Sequence, residues 1–401
     1  MKVVQITTSV NWGAVGRIAE QIGEHVMAEG GESYVFYGRY SNASKSHAIR
    51  CSSKLSLAIN LFLSRLFDCE GLSARLSTKR LIAELEKLKP DIVQLHTIHG
   101  YYINYKLLFE YLNKNSIPIV WTFHDCWAFT GHCAHFVSAD CNKWKTTCCK
   151  CPLLKEYPKA VLFDGSRRNY RLKKHYFAGN NNLHIIAVSQ WMADLVNKSF
   201  FKGKDVRVIH NGIDLDVFKP YEREENSKFV ILGVASVWTE KKGLNDFFEL
   251  RKLLDGNDFD ITLVGLNKEQ LLALPEGVNG IERTESVEQL AKLYSCADVF
   301  LNLTYEDTFP TVNIESLACG TPVITYRTGG SPEAIDDTTG FVVEQGRIND
   351  AALIIQSMRN ESVDVNNKRR RLCRDRAEKL FEKDTCFNNY IKLYSDLLKK
   401  E

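Results

Sequence analysis

Apolar side chains nowhere run on for the roughly 20 consecutive positions that a membrane-crossing helix needs, so the 401-residue sequence holds no candidate span. The opening MKVVQITTS reads as a strand rather than a signal peptide, and the protein is expected in the cytoplasm. Neither sign of charge dominates: 52 Lys and Arg against 49 Asp and Glu leave +3, too little to mark a nucleic-acid binder. Also absent are a repeat of solenoid period and any low-complexity tract, which argues against stacked-repeat architectures. What is present is an ordinary globular composition, 44% hydrophobic and 25% charged. The chain is longer than one hydrophobic core usually supports, so two domains are expected.

Both halves alternate strand and helix patterns. KVVQITT (2–8), SYVFYG (33–38), DIVQLHT (91–97), PIVWTFHD (118–125), HIIAVSQ (184–190) and VRVIHN (206–211) read as strands, with helical stretches at 15–29, 77–89 and 191–199. KFVILGVAS (228–236), FDITLVG (259–265), DVFLNLT (298–304), PVITYRT (322–328) and GFVVE (340–344) repeat the pattern. This is the signature of parallel α/β sheets, and predicts two Rossmann-like, doubly wound domains facing a cleft. The first spans 1–220 with a Cys-rich insertion at about 126–180, the second 221–383, and YEREENSK (221–228) is the expected linker. Phe387, Tyr390, Ile391, Tyr394, Leu397 and Leu398 recur at helical spacing and predict a C-terminal helix over 384–401.

The densest chemistry lies in YEDTFPTVNIESLACGTPVI (305–324). An apolar strand precedes it, Pro310 suits a first helical position, and Gly320 with Pro322 ends the helix. Asp307 therefore sits in the loop and Glu315 on the helix. The helix start, Phe309, Pro310, Thr311 and Val312, directs backbone amides and the positive end of the macrodipole outward, where phosphate oxygens are favoured. The carboxylates then need other partners, and sugar or ribose hydroxyls suit them.

On these residues the chain resembles the retaining GT-B glycosyltransferases of family four, whose signature is an acidic residue, seven others and a Glu. Asp307 and Glu315 match it, with Glu306 one residue too early. The resemblance implies that Asp307 contacts donor-sugar hydroxyls and Glu315 the nucleotide ribose. It implies further that the terminal helix packs back on the first domain. The glycine loop of SVNWGAVGRIAEQIG (9–23) lacks a third glycine in dinucleotide spacing. By the resemblance, Gly13 and Gly16 approach the donor diphosphate and Arg17 adds charge. Lys242, before Gly243, matches the family's lysine on the diphosphate, whereas the arginine expected upstream is Ser236; Arg17, Lys241 or Arg327 would compensate. TGGSPE (328–333) resembles the glycine turn beside the donor, and Arg283 to Ser286 lie where the nucleotide base would be read. His124, ending the strand PIVWTFHD, resembles the histidine that contacts the donor sugar. His99, Tyr101, Tyr102 and Asn104 follow another strand, and their rings and hydroxyls suit a sugar acceptor.

Five of the twelve cysteines fall in GHCAHFVSADCNKWKTTCCKCP (131–152). Thiols ending in Cys-x-x-Cys in a cytosolic chain favour structural zinc on Cys133, Cys141, Cys148 and Cys151, with His132 or His135 as a replacement ligand; disulfides or free thiols are the alternatives. The HDCWAFTGHC run (124–133) and this Cys-x-x-Cys-Pro also resemble the colanic-acid and exopolysaccharide branch of the family. Between Cys141 and Asn180 ten Lys or Arg stand against Glu156 and Asp164. That run is either a solvated surface or a patch for anionic headgroups or a diphosphate-linked acceptor. KLSLAINLFLSRLF (54–67) is read as a buried core helix, with a membrane-surface helix as the alternative.

The resemblance implies transfer of a hexose from a UDP or GDP sugar to a hydroxyl of a saccharide, lipid-linked in one version, in capsule, exopolysaccharide or lipopolysaccharide assembly. His124, Asp307 and Lys242 would carry the chemistry without a catalytic divalent metal, and domain closure about 211–220 would exclude water. Nucleic acid is not an expected partner; the inner face of the membrane is a possible location. A sugar-nucleotide epimerase and a zinc-stabilised basic protein binding anionic polymers are the competing readings.

Overall fold

A computed structural model describes residues 1–223 and 227–399. The expected linker at 221–228 and the last two residues of the expected terminal helix thus fall partly outside the described residues. The chain divides into two units, Met1–His210 completed by the segment from Phe387, and Asn211–Cys386. Residues 211–220 therefore pack with the second unit.

In the first unit β1 (Lys2–Val10), α1 (Gly13–Ala28), β2 (Glu32–Ser41), β3 (His47–Arg50), α2 (Lys54–Phe67), α3 (Arg75–Leu88), β4 (Ile92–Leu95), α4 (Tyr105–Lys114), β5 (Ile119–Phe123), α5 (Ser166–Lys173), β6 (Leu183–Ala187), α6 (Gln190–Lys198) and β7 (Asp205–Val208) follow one another. The strands lie in the order β3-β2-β1-β4-β5-β6-β7, and every pairing is parallel. Helices cover both faces, so the central strands are buried throughout and carry Val, Ile and Leu without alternation. The two edge-side exceptions, β3 and β7, are short and largely uncovered.

The second unit repeats the plan with β8 (Phe229–Val234), α7 (Leu244–Leu253), β9 (Phe259–Val264), α8 (Lys268–Leu272), β10 (Val278–Ile281), α9 (Val287–Cys296), β11 (Val299–Asn302), α10 (Thr311–Ala318), β12 (Val323–Tyr326), β13 (Gly340–Val343), α11 (Ile348–Arg359) and α12 (Val363–Phe381). Its six parallel strands run β10-β9-β8-β11-β12-β13. In each sheet the strand order reverses once, between β1 and β4 and between β8 and β11. Beyond the carboxyl ends of strands at such a reversal, connecting loops diverge and leave a crevice where ligands bind.

The terminal helix α13 (Lys383–Leu398) returns to the first unit. Phe387, Tyr390, Leu393 and Tyr394 pack with Val3, Ile92, Val120 and Ile186 from the central strands. Its two buried tyrosines also find partners: Tyr394 Oη donates to Gln94 Oε1 at 2.8 Å, and Tyr390 Oη lies 3.2 Å from Thr122 Oγ1. This burial makes the last helix part of the first unit's core. Phe387→Ala is expected to cost about 3–5 kcal/mol by leaving a cavity. Tyr394→Phe should cost about 1–3 kcal/mol by leaving Gln94 Oε1 without this donor. Urea unfolding of both variants measures the difference; unchanged midpoints would show that α13 is only loosely attached.

Candidate active site

In the second unit, the loop between β11 and α10 is held from two sides by glycines. Gly243, at φ +76°, is so close to the Leu303 carbonyl that a Cβ would stand 2.2 Å from its oxygen. Gly329, at φ +53°, leaves 1.8 Å between a Cβ and the Asp307 carbonyl oxygen. Tyr305 N donates to Lys241 O at 2.8 Å, and Gly330 N to Thr308 O at 3.1 Å, so both turns are hydrogen-bonded to the loop. Only residues without a side chain permit these approaches, and left-handed φ adds to the requirement.

This clamp brings two lysines onto two carboxylates. Lys242 Nζ lies 2.8 Å from Asp307 Oδ2, and Lys241 Nζ 2.9 Å from Glu306 Oε2. Lys242 and Asp307 are partly exposed, whereas Glu306 is buried. Of the side chains expected to replace the arginine missing at Ser236, Lys241 is engaged with Glu306 and Arg327 with Glu344, at 2.6 Å. Arg17 is exposed on α1, in the first unit.

Asp307 leads into α10. Pro310 is the extended residue before the helix, at φ −70° and ψ 121°, so Thr311 rather than Pro310 is the first helical residue. No side chain caps this start and no acid stands in its first turn. Phe309 is buried and Thr311 and Val312 are partly exposed. One turn on, Glu315 is buried and accepts a 3.0 Å hydrogen bond from Tyr294 Oη. Burial and the adjacent carboxylate push the Tyr294 hydroxyl well above its ordinary pKa, so it stays a donor. Asn313, on the opposite side of the helix, donates to Ser331 and fixes the 328–333 turn.

The first unit presents its own groups at the β1/β4 reversal. The start of α1 likewise has no side-chain cap and no acid in its first turn. Gly13 is in the left-handed region and open, and Gly16 lies against Ser9, whose Oγ would be 2.9 Å from a Cβ. Beyond β4 and β5 a chain of polar groups enters the sheet. Gln5 Nε2 donates to Ala19 O, which turns Gln5 Oε1 toward His96 Nε2 at 3.0 Å. His96 Nε2 must then carry the proton, so its Nδ1 accepts from His124 Nε2 at 3.1 Å. Burial lowers the pKa of both rings, that of His124 to about 4, and keeps them neutral near pH 7.

Beside them, His99 Nε2 lies 2.7 Å from Asp125 Oδ2, and its Nδ1 2.9 Å from Tyr157 Oη. Burial alone would raise the Asp125 pKa; attraction to His99 and hydrogen bonds from His99 and Trp127 outweigh it and hold the carboxyl well below the usual range. Glu70 accepts from the amides of Gly100 and Tyr101, holding Tyr101 at φ +70°. Asp125, Tyr157 and Glu70 were not singled out from the sequence. Asp125, adjacent to His124, was within reach of it; the other two are brought in only by folding.

Two expected acceptor residues serve the structure instead. Tyr102 is fully buried with its hydroxyl on Thr97 O, and Asn104 caps α4 by accepting from Leu107 N at 3.1 Å. The zinc expectation finds no support: among the described residues no three His, Cys, Asp or Glu are arranged to hold a metal ion. Nor are disulfides present, since all twelve cysteines are free. Cys133, Cys141, Cys148 and Cys151 pack around the first unit's aromatic core, where Trp144 stacks on Phe136 and meets Phe129 at a tilt. Their side chains fill gaps in that packing. Burial pushes the Cys148 thiol up to about 12, while a hydrogen bond from Cys133 brings Cys151 down to about 7. The basic run is also thinner than its composition: Lys173 is buried, donates to Trp127 O at 2.6 Å, and burial lowers its pKa to about 7.

An unfolded histidine takes its proton near pH 6.5, whereas His124 resists it down to about 4. Between those values the unfolded chain binds the extra proton, so the stability owed to neutral His124 is complete above pH 6.5 and is lost as pH falls toward 4. Histidine NMR should show His124 neutral at pH 5.5, and His124→Asn should weaken the acid-side loss of stability between pH 6.5 and 4. A His124 titration midpoint near 6.5 would refute this.

The sequence and fold have known counterparts. A family model described as Glycosyltransferase Family 4 matches residues 15–217, and one described as Glycosyl transferases group 1 matches residues 228–360. The chain is 25% identical to a putative colanic acid biosynthesis glycosyl transferase, WcaC, of Escherichia coli K12, over 87% of this chain and 88% of that one. Sucrose-phosphate synthase from Thermosynechococcus elongatus superposes with a TM-score of 0.73 at 16% identity, covering 100% of both chains. Anabaena HepE, solved in complex with UDP-glucose, gives 0.65 at 14% identity over 99% of this chain and 100% of that one. The two parallel sheets are those of a GT-B glycosyltransferase, and with half its length matched by the family model the chain belongs to glycosyltransferase family 4.

Proposed function

We propose that the protein is a retaining transferase that moves a hexose from a nucleoside diphosphate sugar to a hydroxyl of a saccharide, in assembly of a capsule, exopolysaccharide or lipopolysaccharide. The observation that carries this reading is the Lys242–Asp307 pair beside the uncapped start of α10, with Glu315 one turn along the helix. A diphosphate needs cations and amide donors, and a sugar with a ribose needs carboxylates; this loop offers both in sequence. The WcaC likeness and the UDP-glucose held by HepE support the substrate class.

In this reading the diphosphate draws Lys242 from Asp307 and meets the amides of Thr311 and Val312. Asp307, released, accepts from hydroxyls of the hexose. Glu315 accepts from the ribose hydroxyls while keeping the bond from Tyr294, which fixes its orientation. As the bond from the anomeric carbon to the phosphate oxygen breaks, charge grows on the leaving diphosphate, and Lys242 and the helix start stabilise it without reorganising. The acceptor hydroxyl attacks on the face the diphosphate leaves, and its proton passes to the departing phosphate oxygen. Neutral His124 contacts the donor sugar, and His99 with Tyr101 lies beside the acceptor.

Thermal unfolding against UDP, GDP and ADP sugars tests the donor, since a ligand binding only the folded protein raises the melting temperature. One nucleotide family should shift it, and Glu315→Ala should abolish the shift. Lys242→Ala should lower kcat by roughly 10²–10³-fold, the scale of losing one preorganised group on developing charge. NMR of the product should show the donor's anomeric configuration retained. No shift with any nucleotide at millimolar concentration would overturn the reading.

A further inference from the structure

Helix α2 is built inside out. Its two fully buried side chains are polar: Asn60 donates to Tyr101 O at 3.1 Å and Ser64 to Glu70 Oε2 at 3.2 Å. Leu57 packs against the core, but Leu55, Ile59 and Phe62 face outward, 71%, 50% and 61% exposed, at spacings of four and three that align them on one stripe. The core-helix expectation for 54–67 thus holds only for the side that carries Leu57, Asn60 and Ser64. Nor is the stripe isolated. Phe163 N donates to Leu66 O at 3.2 Å and its ring stacks on Phe67 at 5.7 Å, so the exposed Leu162 and Phe163 extend the same surface.

We infer that this face docks on a bilayer containing anionic phospholipid, with the stripe of α2 and the tip at 162–163 entering the headgroup–acyl boundary. Soluble surfaces scatter single apolar residues, but a continuous stripe on a helix that is bonded to the protein through its polar side requires an apolar partner. Charge selects which one. Helix α2 has no acidic residue, and Lys54, Arg65, Lys159 and Arg167 are exposed around the stripe and tip. Of the neighbouring acids, Asp68 and Glu70 are buried on His132 and on backbone amides, and the exposed Asp164 accepts from Cys151 N and Ser166 N, which leaves the four cations in excess. A second copy of this chain placed face to face would bring like charges together, whereas anionic headgroups complement them. This surface is independent of the transferase reading and does not involve the donor groups.

Flotation of the purified full chain with vesicles of phosphatidylcholine, with and without phosphatidylglycerol, tests the docking. Binding is expected at least tenfold tighter to the anionic vesicles. Phe62→Ser with Leu162→Ser should reduce it about tenfold or more by removing buried apolar area, and Lys159→Glu with Arg167→Glu should abolish the anionic preference. These positions are solvent-exposed, so unchanged melting temperatures would show that the variants fold. Absence of binding to both vesicles would overturn the proposal. So would a concentration-dependent dimer in sedimentation that Phe62→Ser with Leu162→Ser dissolves, which would assign the face to a protein partner.

Discussion

Two backbone approaches too close for any side chain organise the second unit's site. Gly243 against Leu303 and Gly329 against Asp307 trap the loop that leaves β11, and that loop carries Glu306 and Asp307, on which Lys241 and Lys242 are paired. The ion pair it creates is not there for stability. With Lys242 37% and Asp307 20% exposed, the pair contributes at most about 1 kcal/mol. A contact that weak is readily exchanged. A diphosphate offering more charge can take the lysine while hydroxyls take the carboxylate. The rigid part is the backbone, and the side chains are left free to change partners.

The first unit solves the opposite problem. Its histidines lie where water is largely excluded, so their protons must be placed by direction rather than by charge. The direction starts from Gln5, whose amide is fixed by the Ala19 carbonyl, and passes through His96 to His124. Each member has only one consistent assignment once the first is set. Burial lowers both histidine pKa values, and the relay gives the neutral rings their hydrogen bonds. His99, by contrast, sits on an ionised Asp125, so two neighbouring imidazoles meet different electrostatic surroundings within one crevice.

Much of the fold was readable because parallel strands covered on both faces must be apolar throughout. All eleven expected strands appear, and the two that were not expected, β3 and β10, are edge strands with exposed residues and little apolar signal. Asp307 and Glu315 were readable for a related reason: loop-then-helix spacing is local, so chemistry set by it survives in the sequence. Glu70, Asp125 and Tyr157 depend on contacts 26 to 58 residues apart around His99 and Tyr101, for which no local pattern exists. Helix α2 was misread because periodicity reports that a helix has an apolar side, not which side the protein keeps.

The same ambiguity governs Tyr102, Asn104, Lys173 and the cysteines, whose types suggested ligands. A polar side chain is available for a ligand when the fold holds it by a contact that can be exchanged, as in the Lys242–Asp307 pair. Tyr102 and Asn104 direct their hydrogen bonds to Thr97 and to the start of α4, and Lys173 donates to the Trp127 carbonyl. The thiols are absorbed by aromatic packing. In α2 the satisfied groups are polar and the unsatisfied ones apolar, so there the residual demand is for a hydrophobic partner rather than for a hydrogen bond. Polar contacts that a ligand can exchange, and apolar surface that folding leaves uncovered, are what point to function in this protein.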